Sequence, residues 1–236
     1  MKLTLLTGKT YDIEAELGFP IKIVKSTRAK RLTLRIDTQE RLPILTIPSR
    51  CSARRAIDFV ESHRDWIDEV LARIPEAKSF ADGDKITFFG RELTICHAPA
   101  KRCGACEENG ILYVSGRREF IHRRVKDYLK KQAQIRFYEL SKQQADKLGC
   151  SLKDVTMKDT KSRWGSCSSL HNINYNWRIS LAPDYVIAYM VAHEVSHLKH
   201  QDHSDKFWRC VSKLCPGYAT GQAWLKTSGK ELYRYE

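Results

Sequence analysis

Long apolar runs are missing from this 236-residue sequence. The longest one, at residues 185–192, is far shorter than the roughly 20 apolar residues that span a bilayer as a helix. The opening residues, MKLTLL, are too few for the core of a secretory signal, and no small-residue cleavage site follows them. The sequence therefore predicts no membrane partner and a cytoplasmic protein.

Internal repeats and low-complexity segments are also absent, which excludes solenoids and fibrous proteins. The eight cysteines are scattered, apart from a single C-x-x-C formed by Cys103 and Cys106. A zinc ribbon needs a second pair at a useful spacing, and the sequence has none. We expect buried thiols in a reducing compartment, and a hairpin loop with two thiols at Cys103 and Cys106. An accidental or regulatory site that includes His97 stays open.

Acidic residues are too few to balance the basic ones, since 28 aspartates and glutamates face 41 lysines and arginines, a net charge of +13. The basic residues concentrate at 22–35, 50–73 and 117–147. Such stretches can mark a nucleic-acid partner. An ordinary solvated basic surface is the alternative that we favour, because residues 118–148 have the spacing of an amphipathic helix with a charged outer face.

Hydrophobic periodicity predicts a β-rich first half with one helix. Alternating residues indicate strands at 21–37, 42–47, 86–89, 92–96 and 111–114. Residues 52–74 have the spacing of a helix, and the glycine-rich residues 104–110 read as a turn. We therefore expect a β-rich N-terminal lobe at residues 1–116 and a second, more helical region at 117–236, joined as one continuous α+β unit.

The most informative stretch is the H-E-x-x-H motif of His193, Glu194 and His197. Residues four apart lie one turn apart on the same face of an α-helix, so both imidazoles can bind one metal ion. Glu194 lies about 100° round the helix, near enough to accept a proton from a metal-bound water. Two core histidines without a metal are the alternative, but clustered ionisable groups in a buried helix are costly unless something pairs them.

A catalytic zinc needs a third protein ligand and an open position. His200 lies about 10 Å from His193 along a continuous helix, too far for both to bind one ion. His203 is the better candidate, because residues 201–202 can end the helix and Ser204-Asp205 can cap the next one, at residues 205–214. The spacing equals that of the metzincins, but His200 stands where they have glycine and no Met-turn follows, so that class does not fit.

The stretch ahead of the motif reads as a strand, because apolar and polar residues alternate over residues 173–181. In a peptidase such a strand can pair with an extended substrate by edge addition. Asn174 and Asn176 on its polar face are therefore candidate substrate contacts. An ordinary sheet strand that covers the helix is the alternative interpretation.

Two arginines and a tryptophan near this strand are further candidates for substrate binding. Arg163 and Trp164 belong to a compact polar turn at residues 162–168, and Arg178 lies within the predicted strand. Either arginine could hold a developing oxyanion or a substrate carboxylate. Each could equally be structural.

These motifs together resemble one known family. The matching residues are Arg163-Trp164-Gly165-Ser166-Cys167, Asn176-Trp177-Arg178 with Leu181-Ala182-Pro183, His193-Glu194-x-x-His197, and His203-Ser204 with Phe207-Trp208. They resemble the YgjP-like family of zinc metallopeptidases, which is similar to the SprT-like proteases. The resemblance runs from about residue 21 to the end of the sequence, although the distinctive motifs lie within 162–208. The family's Asn-His-Ser is Asp202-His203-Ser204 here, a change that keeps the histidine and could let Asp202 orient it.

The resemblance implies a zincin-like α+β catalytic unit that holds Zn²⁺ with His193, His197 and His203. It further implies Glu194 as the general base and a peptide or protein substrate. We therefore predict a zinc-dependent metallopeptidase. A metal-dependent amidase acting on a small molecule stays open, and a deep closed pocket would favour it. A DNA-associated protein or protease also stays open, and salt-dependent DNA binding would favour that.

Overall fold

The computed structural model describes residues 2–4, 10–37, 40–74 and 76–235, and its architecture is α+β. The chain divides into two compact units, Met1–Glu76 and Ala77–Glu236. This division lies earlier than the boundary between residues 116 and 117 that we expected. The strands within residues 85–114 fall in the second unit, since two of them pack on the long helix that follows.

The first unit contains a three-stranded sheet packed on helices. Its elements are β1 (Lys2–Thr4), β2 (Thr10–Asp12), α1 (Ile13–Leu17), β3 (Lys22–Ser26), β4 (Thr33–Asp37), β5 (Leu42–Pro48), α2 (Ala53–Glu61) and α3 (Arg64–Ala72). Strand β5 is central, parallel to β3 and antiparallel to β4, while β1 and β2 pair separately. Ile23, Leu45 and Ile47 of the sheet share a core with Ile57 and Val60 of α2.

The helix predicted over residues 52–74 is two helices in the structure. Between them, the side chains of Ser62 and His63 both hydrogen-bond to the carbonyl of Phe59. These local side-chain bonds compete with the helical ladder. The chain therefore turns before α3 begins at Arg64.

The second unit contains two sheets and the remaining helices. Its elements are β6 (Lys85–Phe88), β7 (Arg91–His97), β8 (Ala105–Glu108), β9 (Ile111–Val114), α4 (Ile121–Leu148), β10 (Asp154–Lys158), β11 (Gly165–Cys167), β12 (Asn172–Asn176), α5 (Asp184–Ser196), α6 (Asp205–Leu214) and α7 (Tyr218–Thr227), with 3-10 helices at Arg118–Phe120, Trp177–Leu181 and Gly229–Arg234. The strand orders are β6-β7-β9-β8 and β10-β12-β11. One hydrophobic core joins both sheets to α4 and α5.

Helix α4 packs on the sheets through a stripe of buried residues at every fourth position. These are Ile121, Val125, Leu129, Ala133, Phe137, Ser141 and Ala145. Gln134 on the same helix covers the outer edge of β10: its amide nitrogen donates to the carbonyl of Val155, and its amide oxygen accepts the N–H of Met157. Within the described ranges, no helix combines the length and the apolar character needed to cross a bilayer.

The strand predicted over residues 173–181 is only partly present. β12 ends at Asn176, and Trp177–Leu181 is a 3-10 helix whose side chains are all buried. The turn begins because the Asn176 side chain accepts the backbone N–H of Arg178, at 3.0 Å. β12 also lies between β10 and β11, so it has no free edge. The predicted pairing of a substrate with this strand is therefore wrong.

Cys103 and Cys106 form a disulfide, so the prediction of two thiols there is wrong. The loop prediction also missed β8, which pairs with β9 across this region. The turn at Gly104 is held by Ser115, whose backbone N–H donates to the Gly104 carbonyl and whose hydroxyl accepts the Gly104 N–H. These bonds bring the two cysteines close together.

Candidate metal centre

Helix α5 carries the H-E-x-x-H motif through the core. It begins at Asp184, an acid in the first turn, and Ile187, Met190, Val191 and Val195 are among the residues that bury it on two sides. The helix ends at Ser196, earlier than the sequence predicted, and His197 is its C-cap. The ladder of helical hydrogen bonds therefore stops at His197, the second histidine of the motif.

Three imidazoles converge at this end of the helix. His193, His197 and His203 each offer a ring nitrogen, and these nitrogens all lie within 4.8 Å of one another. The Nε2 atoms of His193 and His203 are 3.3 Å apart. A tetrahedral zinc with bonds of about 2.0 Å separates its ligand nitrogens by about 3.3 Å. The spacing of the His193 and His203 nitrogens therefore matches that of two ligands on one tetrahedral ion.

His200 is not part of this cluster among the described residues. Its contribution is the backbone carbonyl, which accepts a hydrogen bond from Nδ1 of His197 at 3.0 Å. That bond leaves Nε2 of His197 without the ring proton, as a metal ligand requires. Asp202 does not orient His203 as the sequence suggested, because its carboxylate accepts the backbone N–H and hydroxyl of Ser204 instead.

Phe207 of α6 packs against all three imidazoles. Its ring centroid lies 5.0 Å from that of His193, 4.5 Å from that of His197 and 4.8 Å from that of His203. Phe207 is fully buried and therefore fixed by the core. α6 thus holds the exposed His203 against the histidines of α5.

Glu194 is a buried carboxylate that lines the same cleft as His193. Its side chain is 3% exposed, and its Oε2 has no hydrogen-bond partner among the described residues. Burial raises the pKa of Glu194 to about 8. Burying a carboxylate without a partner costs free energy. Groups of this kind cluster at functional sites.

The environment of His193 and His197 favours the neutral form that binds a metal. Burial lowers the pKa of His193 to about 4, and the neighbouring imidazoles of His197 and His203 contribute to the shift. Burial also lowers the pKa of His197. Neutral imidazoles are the ligating species, so these rings need lose no proton at neutral pH.

An open cleft of about 320 Å³ lies beside His193 and Glu194. Its other lining residues are Trp164, Gly165, Tyr189, Met190, Gln222, Leu225 and Lys226. Trp164 is the one predicted substrate contact that the structure brings to this cleft. The α7 residues were missed by sequence reasoning, because nothing local in the sequence links α7 to the motif; Tyr189 could have been found from its position one helical turn before His193.

The other predicted substrate contacts lie elsewhere. Arg163 is exposed, and Asn174 donates to the hydroxyl of Ser166 across the sheet at 3.3 Å. Asn176 is buried, with its amide donating to the carbonyl of Thr160 at 2.7 Å. These side chains are therefore not assembled around the cleft.

Arg178 is 1% exposed and belongs to the core. Its guanidinium pairs with Asp159 and donates to the carbonyl of Tyr235. Burial alone would raise the pKa of Asp159, but the hydrogen bond and charge of Arg178, with two nearby lysines, lower it overall. The structure thus gives Arg178 a structural partner in place of a substrate.

Comparison with known proteins agrees with the geometry of the cleft. No curated protein and no solved structure matches the chain. The model of one family, described as YgjP-like, metallopeptidase domain, matches residues 30–228. This span takes in most of the chain, including the histidine cluster and Glu194. The chain therefore belongs to the YgjP-like family, and the matched region is its metallopeptidase domain.

Proposed function

We propose that the protein is a zinc-dependent peptidase of the zincin type, with His193, His197 and His203 as the zinc ligands. The observation that carries the proposal is the convergence of three imidazoles beside a buried carboxylate that has an unpaired oxygen among the described residues. Zinc suits this site because it favours nitrogen donors in tetrahedral geometry. Three protein ligands also leave the open position that a catalytic site needs.

Bound zinc would supply Lewis acidity, which acidifies a water and polarises the scissile carbonyl. Glu194 would take the proton of the attacking water and deliver it to the leaving amine. Its raised pKa, about 8 before a metal binds, suits a group that both accepts and returns a proton near neutral pH. The low exposure of Glu194 keeps bulk water from competing for that proton.

The substrate would lie along β11. Trp164 and Ser168, which flank β11, hydrogen-bond to β12 through the Trp164 carbonyl and the Ser168 N–H. Antiparallel alternation then turns the backbone groups of Gly165 and Cys167 away from β12, toward the outer edge. The opposite edge of the sheet, at β10, is covered by Gln134. β11 is therefore the edge strand to which a substrate peptide in an extended conformation can add.

The shape of the cleft supports a peptide over a small molecule. An amidase for small molecules would need a deep, closed pocket, whereas this cleft is open and runs beside the edge strand. Apolar contacts from Trp164, Met190 and Leu225 could hold a substrate side chain. Lys226 is the one cation that lines it among the described residues.

The test is metal analysis of the purified protein joined to a peptide assay. We expect about one zinc per chain, hydrolysis of a mixed-sequence fluorogenic peptide library, loss of both on chelation, and recovery on adding zinc. Zinc binding without any peptide hydrolysis would refute the peptidase, while hydrolysis that survives complete metal removal would refute the role of zinc.

A further inference from the structure

Tyr189 stands behind the first histidine of the cluster. It lies one turn before His193 on α5, and its hydroxyl oxygen is 3.4 Å from Nδ1 of His193. The two rings meet edge to face, with centroids 5.7 Å apart. The Tyr189 oxygen is thus placed on the side of the imidazole opposite to the nitrogen that faces His203.

Helix α7 fixes Tyr189 in this position. The Gln222 amide N–H faces its hydroxyl oxygen, and the Tyr218 ring stacks on its ring with centroids 6.5 Å apart. Gly221 lets the helices approach, because a Cβ there would lie 2.7 Å from Cβ of Tyr189. Tyr189 is only 5% exposed as a result, so its hydroxyl has little freedom to turn elsewhere.

Metal binding requires one protonation state of the His193 ring, and that state sets which atom donates in the contact between His193 and Tyr189. Nε2 of His193 faces His203, so a metal held there leaves the ring proton on Nδ1. That N–H can then donate to the Tyr189 oxygen, because a phenolic oxygen can accept a hydrogen bond. Were Tyr189 to donate to Nδ1 instead, the proton would sit on Nε2 and block the metal.

We propose that Tyr189, held in place by α7, is a positioning residue that keeps His193 in the tautomer and ring orientation that bind the metal. The inference rests on the proposed zinc centre and adds α7 to the residues that determine its affinity. His197 has the equivalent partner in the carbonyl of His200, at 3.0 Å from its Nδ1. Both histidines of the motif would then have a fixed acceptor at Nδ1.

The experiment measures zinc affinity of the full-length protein by competition with a chromophoric chelator. Tyr189→Phe keeps the ring and its packing but removes the oxygen, and we expect 10- to 100-fold weaker zinc binding, the range typical of partners of metal ligands. Tyr185→Phe is the matched control, because Tyr185 lies on the same helix but is 44% exposed, and it should bind like the parent.

A second variant moves the oxygen without removing it. Gly221→Ala keeps the Tyr189 hydroxyl but places a Cβ 2.7 Å from Cβ of Tyr189, so it should displace the oxygen from His193 and weaken zinc binding in the same direction. Gly217→Ala, whose Cβ would meet nothing within 4 Å, should bind like the parent. These variants also decide the matter if Tyr189→Phe fails to fold. Parent-like zinc affinity in folded Tyr189→Phe or Gly221→Ala would overturn the inference. A parent protein that binds no zinc would instead refute the proposed metal centre, and this inference with it.

Discussion

Gly165 lies directly against the carboxylate of Glu194. A Cβ built on Gly165 would be 2.3 Å from Oε1 of Glu194 and 2.6 Å from its carboxyl carbon, well inside van der Waals contact. Glycine at this position of β11 is therefore what allows the buried acid to fit beside the edge strand. The contact links the R-W-G-S-C motif to the H-E-x-x-H motif through space.

Gly165→Ala is expected to keep zinc but to lower peptide turnover about 100-fold, because displacing a reacting group by roughly 1 Å can cost that much. Gly217→Ala is the matched control, since a Cβ at Gly217 meets nothing within 4 Å. Turnover of both variants, normalised to bound zinc, measures the effect. Equal turnover in the two would show that Glu194 need not stay where it is.

Glu194→Gln should retain zinc and lose hydrolysis, by at least the 10²- to 10⁴-fold typical of positioned proton transfer. The amide is nearly the same shape as the carboxylate, so it fits against Gly165, but it cannot accept the proton. Single-turnover assays on the zinc-loaded variant provide the measurement. Substantial hydrolysis there would assign the proton transfer to another group.

His203→Ala should lose most of its zinc, whereas His200→Ala should keep it. His203 contributes a ring nitrogen to the cluster, while His200 contributes only its backbone carbonyl, which alanine retains. The measurement is zinc per chain after dialysis against a competing chelator, with the parent alongside. The reverse pattern would mean that the ligand assignment is wrong.

Peptide substrates methylated at single backbone nitrogens should test the role of β11. Extended pairing uses the N–H groups of every second residue, so turnover should fall at alternate positions. The loss of one hydrogen bond, about 1 kcal/mol, corresponds to roughly fivefold in kcat/KM. A uniform effect, or none, along the peptide would argue against pairing with this edge.

Arg178→Gln should destabilise the fold without changing turnover per zinc-loaded molecule. We expect a loss of about 3 kcal/mol in the free energy of unfolding, the lower end for a broken buried ion pair, because Asp159 is partly exposed. Arg163→Gln, at an exposed position, should change stability by less than about 0.5 kcal/mol. Urea unfolding of both variants measures this. Normal stability with impaired turnover would restore Arg178 as a substrate contact.

Lowering the pH should weaken the ion pair between Arg178 and Asp159 and so reduce the stability of the fold. The pKa of Asp159 is lowered in the folded protein, so the stabilisation is complete above the unfolded value of about 3.9 and is lost as the pH falls through the folded value. The parent should therefore lose more stability than Arg178→Gln between pH 5 and about pH 2. Parallel pH profiles for the two proteins would contradict the role of this pair.

The sequence by itself determined the elements of the site that depend on local geometry. The relative positions of His193, Glu194 and His197 follow from helical periodicity, which can be read directly from their spacing in the sequence. Helix α6 was likewise predictable, from Asp205 to Leu214, because its start and its apolar spacing are local signals. The family resemblance also came from short motifs that stand complete in the sequence.

The tertiary structure decided what depends on contacts between distant residues. Alternation over residues 173–181 predicted a strand, but the side chain of Asn176 ends it, and Arg178 finds its partner in Asp159 far along the chain. Nothing local shows that β11 is the free edge. The placing of Tyr189 against α7 likewise depends on packing across the core. Periodicity reports which way a side chain points along its own element, whereas its partner is chosen by the packing of other elements.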